Sequence, residues 1–428
     1  MTDSRIAVVG SGISGLSAAW LLSRGHNVTL FEASDYLGGH TNTVDVELDD
    51  VTHPVDTGFL VYNDRTYPNL IALFQYLDVE TAASDMSFSV RLEEEDIEWA
   101  GASIATVFAQ KRNLVRPEFW SMLGDVIRFN RDATQLVHQA LDSSYTVARF
   151  LDEGRYGRPF RNWYLLPMAA AFWSCPTEQM LAFPARTFVR FCHNHGLLQI
   201  ANRPQWRTVN GGGRSYVRRL SESIHDIRLA SPVTAVRRGP GFVEVETDAR
   251  GVERFDHVVM ACHSDQSLRL LSDATEMETS VLRRVRYEPN VAFLHTDTTF
   301  LPRTREAWSA WNYHAGRGNP AARPVSVSYL INKLQPLPFS TPLIVTLNPT
   351  QEPRPRAVLG RFHYAHPAFD GPAIEAQREL NAIQGGGRTW FCGAWTGYGF
   401  HEDGLKSGLA VANALGAFAP WQSEEAAA

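Results

Sequence analysis

A chain of 428 residues is too long for one ordinary hydrophobic core, which points to two domains. Its 44% hydrophobic and 20% charged residues are ordinary for a globular protein, no apolar run approaches the roughly 20 residues of a membrane span, and a net charge of -6 argues against nucleic acid as the main partner. The cysteines Cys175, Cys192, Cys262 and Cys392 are widely spaced, so no CxxC metal site, redox dithiol or disulfide framework is expected.

Residues 5–32 read as strand, turn, helix and strand. Ile6, Ala7, Val8 and Val9 form the continuous apolar run of a strand buried on both faces. Ile13 to Ser23 has helical spacing, with Leu16, Ala19 and Leu22 on one side, and Val28, Leu30 and Phe31 give the next strand. The stretch 66–165 reads as largely helical, on the spacing of Leu70, Leu73, Phe74 and Leu77. Strands return at Val233–Val236, Val243–Val245 and Val258–Ala261, and strands and turns dominate 287–350. A strand at Thr389–Cys392, a glycine turn and a helix over Leu405–Leu415 follow, and Ser423–Ala428 reads as a frayed tail.

Gly10-Ser-Gly12-Ile13-Ser14-Gly15 lies between the first strand and the first helix. Gly10 permits the tight turn, Gly12 lets the backbone approach a pyrophosphate, and Gly15 lets helix pack on strand. The helix N-terminus offers free N–H groups and a partial positive charge to the phosphates. Glu32 ends the second strand about 20 residues on, where a carboxylate accepts bonds from a ribose diol and repels a 2′-phosphate. This element binds a dinucleotide without separating NAD from FAD. No second glycine cradle follows a strand, so no NAD(P)H domain is expected.

Gly38-Gly39-His40-Thr41, Asp56-Thr57-Gly58-Phe59, Asn210-Gly-Gly-Gly213, Ser231-Pro-Val233 and Phe255–Ala261 follow in turn, and the chain ends on Phe391-Cys-Gly393-Ala394-Trp395 and His401-Glu402-Asp403-Gly404-Leu405. On these motifs the sequence resembles the flavin amine oxidase and phytoene desaturase superfamily. The resemblance implies FAD, held by Gly10, Gly12, Ile13, Ser14, Gly15, Glu32 and Ala33 at the cradle and ribose. It further implies Gly38, Gly39, His40, Thr57 and Gly58 along the pyrophosphate and flavin, Val233 at the adenine, and Gly393, Glu402, Gly404 and Leu405 at the flavin end. Two departures stand out: His40 replaces the usual arginine, and Ala394 the usual acid, whose role Glu402 or Asp403 would take in part. The expected fold is α/β. A discontinuous Rossmann-like FAD domain (1–65, 205–285 and 356–428) would carry an inserted α+β substrate domain (66–204 and 286–355).

Oxidation by a flavin needs a C–H bond held over N5, and desaturation also needs a proton acceptor beside the adjacent carbon. The aromatic cluster Trp395, Tyr398, Phe400 and His401 either walls the substrate or packs at a domain seam. His401 and Glu402 are the candidate proton acceptors, with Tyr398 beside them. The lysine usual in the amine oxidases resembled here is absent from Arg286–Leu294, which fits carbon–carbon desaturation better than amine oxidation. His193 and His195 read as polar or core histidines rather than metal ligands. His363 and His366 are not expected to carry a covalent flavin.

Lys111, Arg112, Arg116, Phe119, Trp120 and Met122, and again Arg155, Arg158, Phe160, Arg161, Trp163, Tyr164, Leu165 and Leu166, interleave cations with large apolar groups. Such faces either meet a bilayer interface or are solvated helix faces over a core. The whole pattern, including Leu-His295-Thr-Asp-Thr, Ala-Trp308-Ser-Ala-Trp311-Asn-Tyr313 and Tyr364-Ala-His366-Pro367, resembles a bacterial branch of the superfamily associated with cyclopropane- and methyl-fatty-acid enzymes. That resemblance implies hydride transfer from an unsaturated or methylated fatty-acyl chain to flavin N5. The alternatives are a flavin amine oxidase and a non-catalytic flavoprotein partner of a lipid methyltransferase. A lipid or other hydrophobic substrate and peripheral membrane contact are the partners expected. Because Arg5–Gly10 already reads as strand and turn, no signal peptide is expected. The compartment would be the cytoplasm, with a peripheral position on the inner membrane face.

Overall fold

The computed structural model describes residues 3–137, 139, 144–173, 177–199, 202–318 and 326–422. Cys175 and the tail Ser423–Ala428 lie outside the described residues.

Strand β1 (Arg5–Val9) sits at the centre of a five-stranded parallel sheet, flanked by β2 (Asn27–Phe31) and by the strand His257–Met260; Asp226–Arg228 and Thr389–Phe391 are the edges. Both faces are covered, so Ile6, Ala7 and Val8 have no exposed surface, as their unbroken apolar run requires. Helix α1 (Ile13–Leu22) is buried along its whole length. It crosses the C-terminal helix His401–Ala414 at Gly408, where a Cβ would lie 2.3 Å from the Ser14 carbonyl oxygen. A three-stranded antiparallel meander, Val233–Gly239, Phe242–Thr247 and Gly251–Phe255, packs beside the sheet.

A second, seven-stranded sheet runs in the order 358–368, 286–295, 344–347, 326–330, 311–315, 88–92, 97–100. The last two strands in that order, 88–92 and 97–100, come from the stretch read as helical. Helices do occupy Pro68–Tyr76, Pro117–Leu136 and Val147–Glu153, but Thr81–Ala83, Phe88–Leu92 and Ile97–Ala100 are strands. Thr81–Ala83 pairs with Trp206–Val209 and Phe88–Leu92 with Trp311–Ala315, partners far along the chain that helical spacing cannot reveal, and Ile97–Ala100 pairs in turn with Phe88–Leu92. The strand Val358–Ala368, inside the range expected for the FAD domain, pairs along its length with Arg286–His295. By sheet membership the second sheet therefore extends to 368.

Among the described residues no helix is long and apolar enough to cross a membrane, and no group of three His, Cys, Asp or Glu side chains could hold a metal ion.

Candidate active site

The cradle is set by backbone geometry. Gly10 takes φ +103° and donates its N–H to the Phe31 carbonyl at 2.8 Å, tying the turn to β2. A Cβ on Gly15 would lie 1.9 Å from the Gly10 oxygen, so glycine there lets α1 close on the turn. A Cβ on Gly12 would meet nothing within 4 Å, because Gly12 faces the cleft. Ser11 donates from N and Oγ to Glu32 Oε2 at 2.9 and 2.6 Å, and Ser34 N donates to Oε1 at 2.9 Å. The carboxylate is thus fixed at the rim of the cleft, where a ribose would meet it.

The cleft encloses about 670 Å³. Its walls bring together Gly10, Gly12, Ile13, Ser14, Glu32, Ala33, Gly38, Gly39, His40, Thr57, Gly58, Val233, Gly393 and His401 from five stretches of chain. Gly15, Tyr398, Glu402, Gly404 and Leu405 are not among its walls. Gly15 works behind the cradle, and Gly404 packs against Ile13, whose Cγ2 a Cβ there would approach to 2.8 Å. The Asn210–Gly213 segment is held by Asp56, which accepts from Gly213 N at 2.9 Å and Gln335 Nε2 at 2.7 Å.

His40 brings an aromatic ring, not the charge of an arginine. Burial, with His366 and His263 beside it, holds the imidazole down at about 3, and burial likewise holds His366 at about 4, so both are neutral at pH 7. His40 tilts against Tyr364 and His366 at 5.0 and 5.4 Å. Its Nε2, like Trp395 Nε1, is buried with no hydrogen-bond partner in the protein, and both residues line the cleft. Two orphaned polar atoms and an open cradle fit a polar, elongated cofactor such as FAD.

At the far end the walls become aromatic and apolar. His401, at the start of the C-terminal helix, lies flat on Phe59 with centroids 3.7 Å apart and planes 11° apart. Its Nε2 is 2.6 Å from the Tyr216 hydroxyl and 3.3 Å from Thr41 Oγ1. Burial holds this imidazole down at about 3, so it is neutral at pH 7. Phe400, Trp206, Trp311, Tyr329, Leu347, Leu60, Val61 and Met86 complete the chamber. His195 also lines it; the ring is buried, with Nδ1 3.0 Å from the Phe191 carbonyl, and burial holds it at about 4. Sequence reasoning missed Trp206, Trp311 and Tyr329; the strand alternation around Trp311 was the one signal available.

Glu402 turns away from His401 because successive helical residues point about 100° apart. Its carboxylate accepts from Asn69 N, Asn69 Nδ2 and Leu70 N at 3.0, 2.7 and 2.9 Å, closing the N-terminus of α2 (Pro68–Tyr76). Asp403 folds back to accept from Tyr398 N and Phe400 N, both at 3.0 Å. Neither acid replaces the one missing at Ala394. Replacing Glu402 by alanine is expected to cost about 2–4 kcal/mol of stability, since buried N–H groups lose a charged acceptor. Thermal unfolding would show a lowered Tm, with the rate of flavin reduction per bound flavin unchanged. An unchanged Tm with a collapsed rate would restore Glu402 to the chemistry.

The family model described as flavin containing amine oxidoreductase matches residues 13–338. The chain is 29% identical to the carotenoid phi-ring synthase of Streptomyces griseus over 327 residues, 69% of this chain and 58% of that protein. It is 54% identical to the L-amino-acid oxidase of Pseudechis australis over 46 residues, 10% of this chain and 9% of that one. The chain therefore spans less than two thirds of the length of these curated relatives. Among solved structures, the CLA-producing fatty acid isomerase from P. acnes aligns with a TM-score of 0.67 at 13% identity, over 97% of this chain and 99% of that one. Cyclohexylamine oxidase from Brevibacterium oxydans IH-35A aligns with a TM-score of 0.68 at 17% identity, over 97% and 100%. At such identities the structural likeness establishes the fold. With the family model covering three quarters of the chain and a cradle shaped for a dinucleotide, this chain belongs to the flavin containing amine oxidoreductase family, and its cleft fits FAD.

Proposed function

We propose that this enzyme desaturates an unsaturated or methylated fatty-acyl chain. The observation that carries the reading is the chemistry of the chamber walls. Beyond His401 they are Leu60, Val61, Met86, Trp206, Trp311, Tyr329 and Leu347, and Glu32, at the opposite, ribose end, is the one carboxylate among the described residues lining the cleft. A hydrocarbon gains about 0.8 kcal/mol per CH₂ against such walls, whereas an ammonium would lose its hydration with no carboxylate to meet it. The names of two similar proteins, a carotenoid phi-ring synthase and a fatty acid isomerase, agree with an apolar substrate.

Bound FAD supplies the two-electron acceptor. The chain's own residues bind, orient and take the proton. Phe59, Phe400 and Trp311 exclude water around the acyl chain. His401, neutral at pH 7, accepts the proton at Nδ1, the ring nitrogen not engaged by Tyr216. The hydrogen bond from Nε2 to the Tyr216 hydroxyl then spreads the charge toward Thr41.

The test is anaerobic stopped-flow bleaching of the flavin band. Vesicles carrying unsaturated or methylated acyl chains are expected to bleach it, with spermine and benzylamine inert. His401→Ala should slow bleaching by about 100-fold or more, the usual worth of a positioned base. Rapid bleaching by the amines and none by the lipids would overturn the reading.

A further inference from the structure

The two side chains that hold the His401 ring are themselves held from one buried point. Asp56 ends the strand Val51–Asp56, is 1% exposed and is not among the cleft walls. Its carboxyl accepts from the Thr43 hydroxyl, from Gly213 N at 2.9 Å and from Gln335 Nε2 at 2.7 Å, and its own N–H donates to Gln335 Oε1 at 3.1 Å. The Thr43 hydroxyl is oriented by a second bond, accepted from Arg214 N at 3.0 Å. One carboxylate thus ties together the hairpin 43–56, the glycine loop 210–213 and the residue that closes the short helix Ile331–Leu334. A buried charge is tolerated only where such donors surround it, and each donor is fixed in return.

Two routes run from Asp56 to His401. The first follows the chain. Thr57 N donates to the Asn42 carbonyl at 2.9 Å and Phe59 N to the His40 carbonyl at 2.8 Å, so Phe59 leaves Asp56 on a fixed path. Its ring covers the face of the His401 imidazole, with centroids 3.7 Å apart. The second crosses to the glycine loop. Gly213 precedes the helix Arg214–Ser221, whose first turn carries Tyr216. Tyr216 has no exposed surface, and its hydroxyl lies 2.6 Å from His401 Nε2. The loop is packed too tightly to slide: a Cβ on Gly213 would lie 2.5 Å from Thr41 Cγ2, and Thr41 Oγ1 is itself 3.3 Å from His401 Nε2. One route fixes the face of the ring and the other its edge.

We propose that Asp56 is the positioning residue of His401, setting the orientation of the ring in the chamber through Phe59 and Tyr216. Asp56 and Tyr216 are absent from the cleft walls, whereas Phe59 and His401 are among them, so Asp56 acts through its neighbours. Orientation is worth much in rate, because a misplacement of about 1 Å costs about 100-fold. Asparagine has the shape of aspartate but brings an NH₂ group against the donors of Thr43, Gly213 and Gln335, so at least one of them must turn away.

The proposal rests on the role given to His401 above, so the ring is read without substrate. Histidine-labelled holoprotein is followed by nitrogen-15 NMR, with the His401 signal assigned by its loss in His401→Ala. In the parent the signal should be that of a neutral ring in one tautomer, unchanged between about pH 8 and 6. In Asp56→Asn it should move toward mixed tautomers and titrate in that window, with flavin content retained. Glu278→Ala, which breaks the buried pair with Arg238 away from the cleft, should lower Tm and leave the signal in place. With bleaching lipids, Asp56→Asn should slow flavin reduction about tenfold at saturation, with the half-saturating concentration within about twofold. If Asp56→Asn does not fold, Thr43→Val, which removes one donor from the same carboxylate, takes its place in every measurement. A His401 signal identical in parent and folded variant, or one that Glu278→Ala moves as far, would overturn the proposal. Lipids that leave the flavin unbleached while the signal still moves would refute the desaturase reading and uphold the role of Asp56.

Discussion

Gly12→Val is expected to yield a folded protein that does not hold its flavin. The added side chain meets no protein atom near its Cβ and projects into the cleft, onto the path of the pyrophosphate. The apoprotein should keep its Tm, while the flavin dissociation constant rises by about 10–100-fold, equivalent to the 1–3 kcal/mol that overpacking costs. Gly15→Val, three residues on, should behave differently. Its Cβ would lie 1.9 Å from the Gly10 oxygen and 3.0 Å from the Ala261 Cβ, so the cradle turn and the next strand of the sheet must both move. A Tm loss of about 10 °C, or no folded product, is expected. Calorimetry of the two apoproteins with flavin titration separates them. Equal Tm losses in both variants would sink the distinction.

Acidification is the second large effect. Folding depresses five histidines from the usual 6.5: His40 and His401 to about 3, and His195, His295 and His366 to about 4, each chiefly by loss of hydration. A group depressed on folding contributes stability that is present above its unfolded value and is lost as the pH falls. Two carboxyls act in the opposite sense. Burial raises Asp56 and Asp403 from 3.8 to about 6, so the folded state keeps their protons longer. Between about pH 6 and 4 the unfolded chain therefore binds about three more protons than the folded one, a slope of about 4 kcal/mol per pH unit. Against a typical total of about 5–15 kcal/mol, that unfolds the protein near pH 4–5. Circular dichroism melts across this range should show Tm falling steeply below about pH 6, with release of flavin. A Tm flat from neutrality to about pH 4.5 would contradict the buried, neutral histidines.

What the sequence made legible was local. β1, the glycine turn, α1 and Glu32 are contiguous, and each residue's role follows from its neighbours. The cleft walls from Gly10 to His401 were named because recurring motifs carry them. What was not legible depends on contacts across the chain. Phe88, Val90 and Leu92 alternate as a strand should, yet they lie in a run of helices, and their pairing with Trp311–Ala315 decides the matter. Glu402 is visible as an acid beside His401, but its orientation is set by the N–H groups of Asn69 and Leu70, over three hundred residues away. Tyr398 and Phe400 look alike in sequence; the half-turn between them puts Phe400 on the chamber wall and leaves Tyr398 off it.

The central sheet also sets a timetable for synthesis. Its middle strand is made long before the neighbour His257–Met260, and the edge Thr389–Phe391 follows later. The helix that carries His401 and clasps α1 at Gly408 is made later still. A nascent chain thus holds an apolar strand and an apolar helix without these covers until the later segments emerge. Until then these segments are open to chaperones and to transient contacts, and the cleft, whose walls run from Gly10 to His401, is complete only once the C-terminal helix is made.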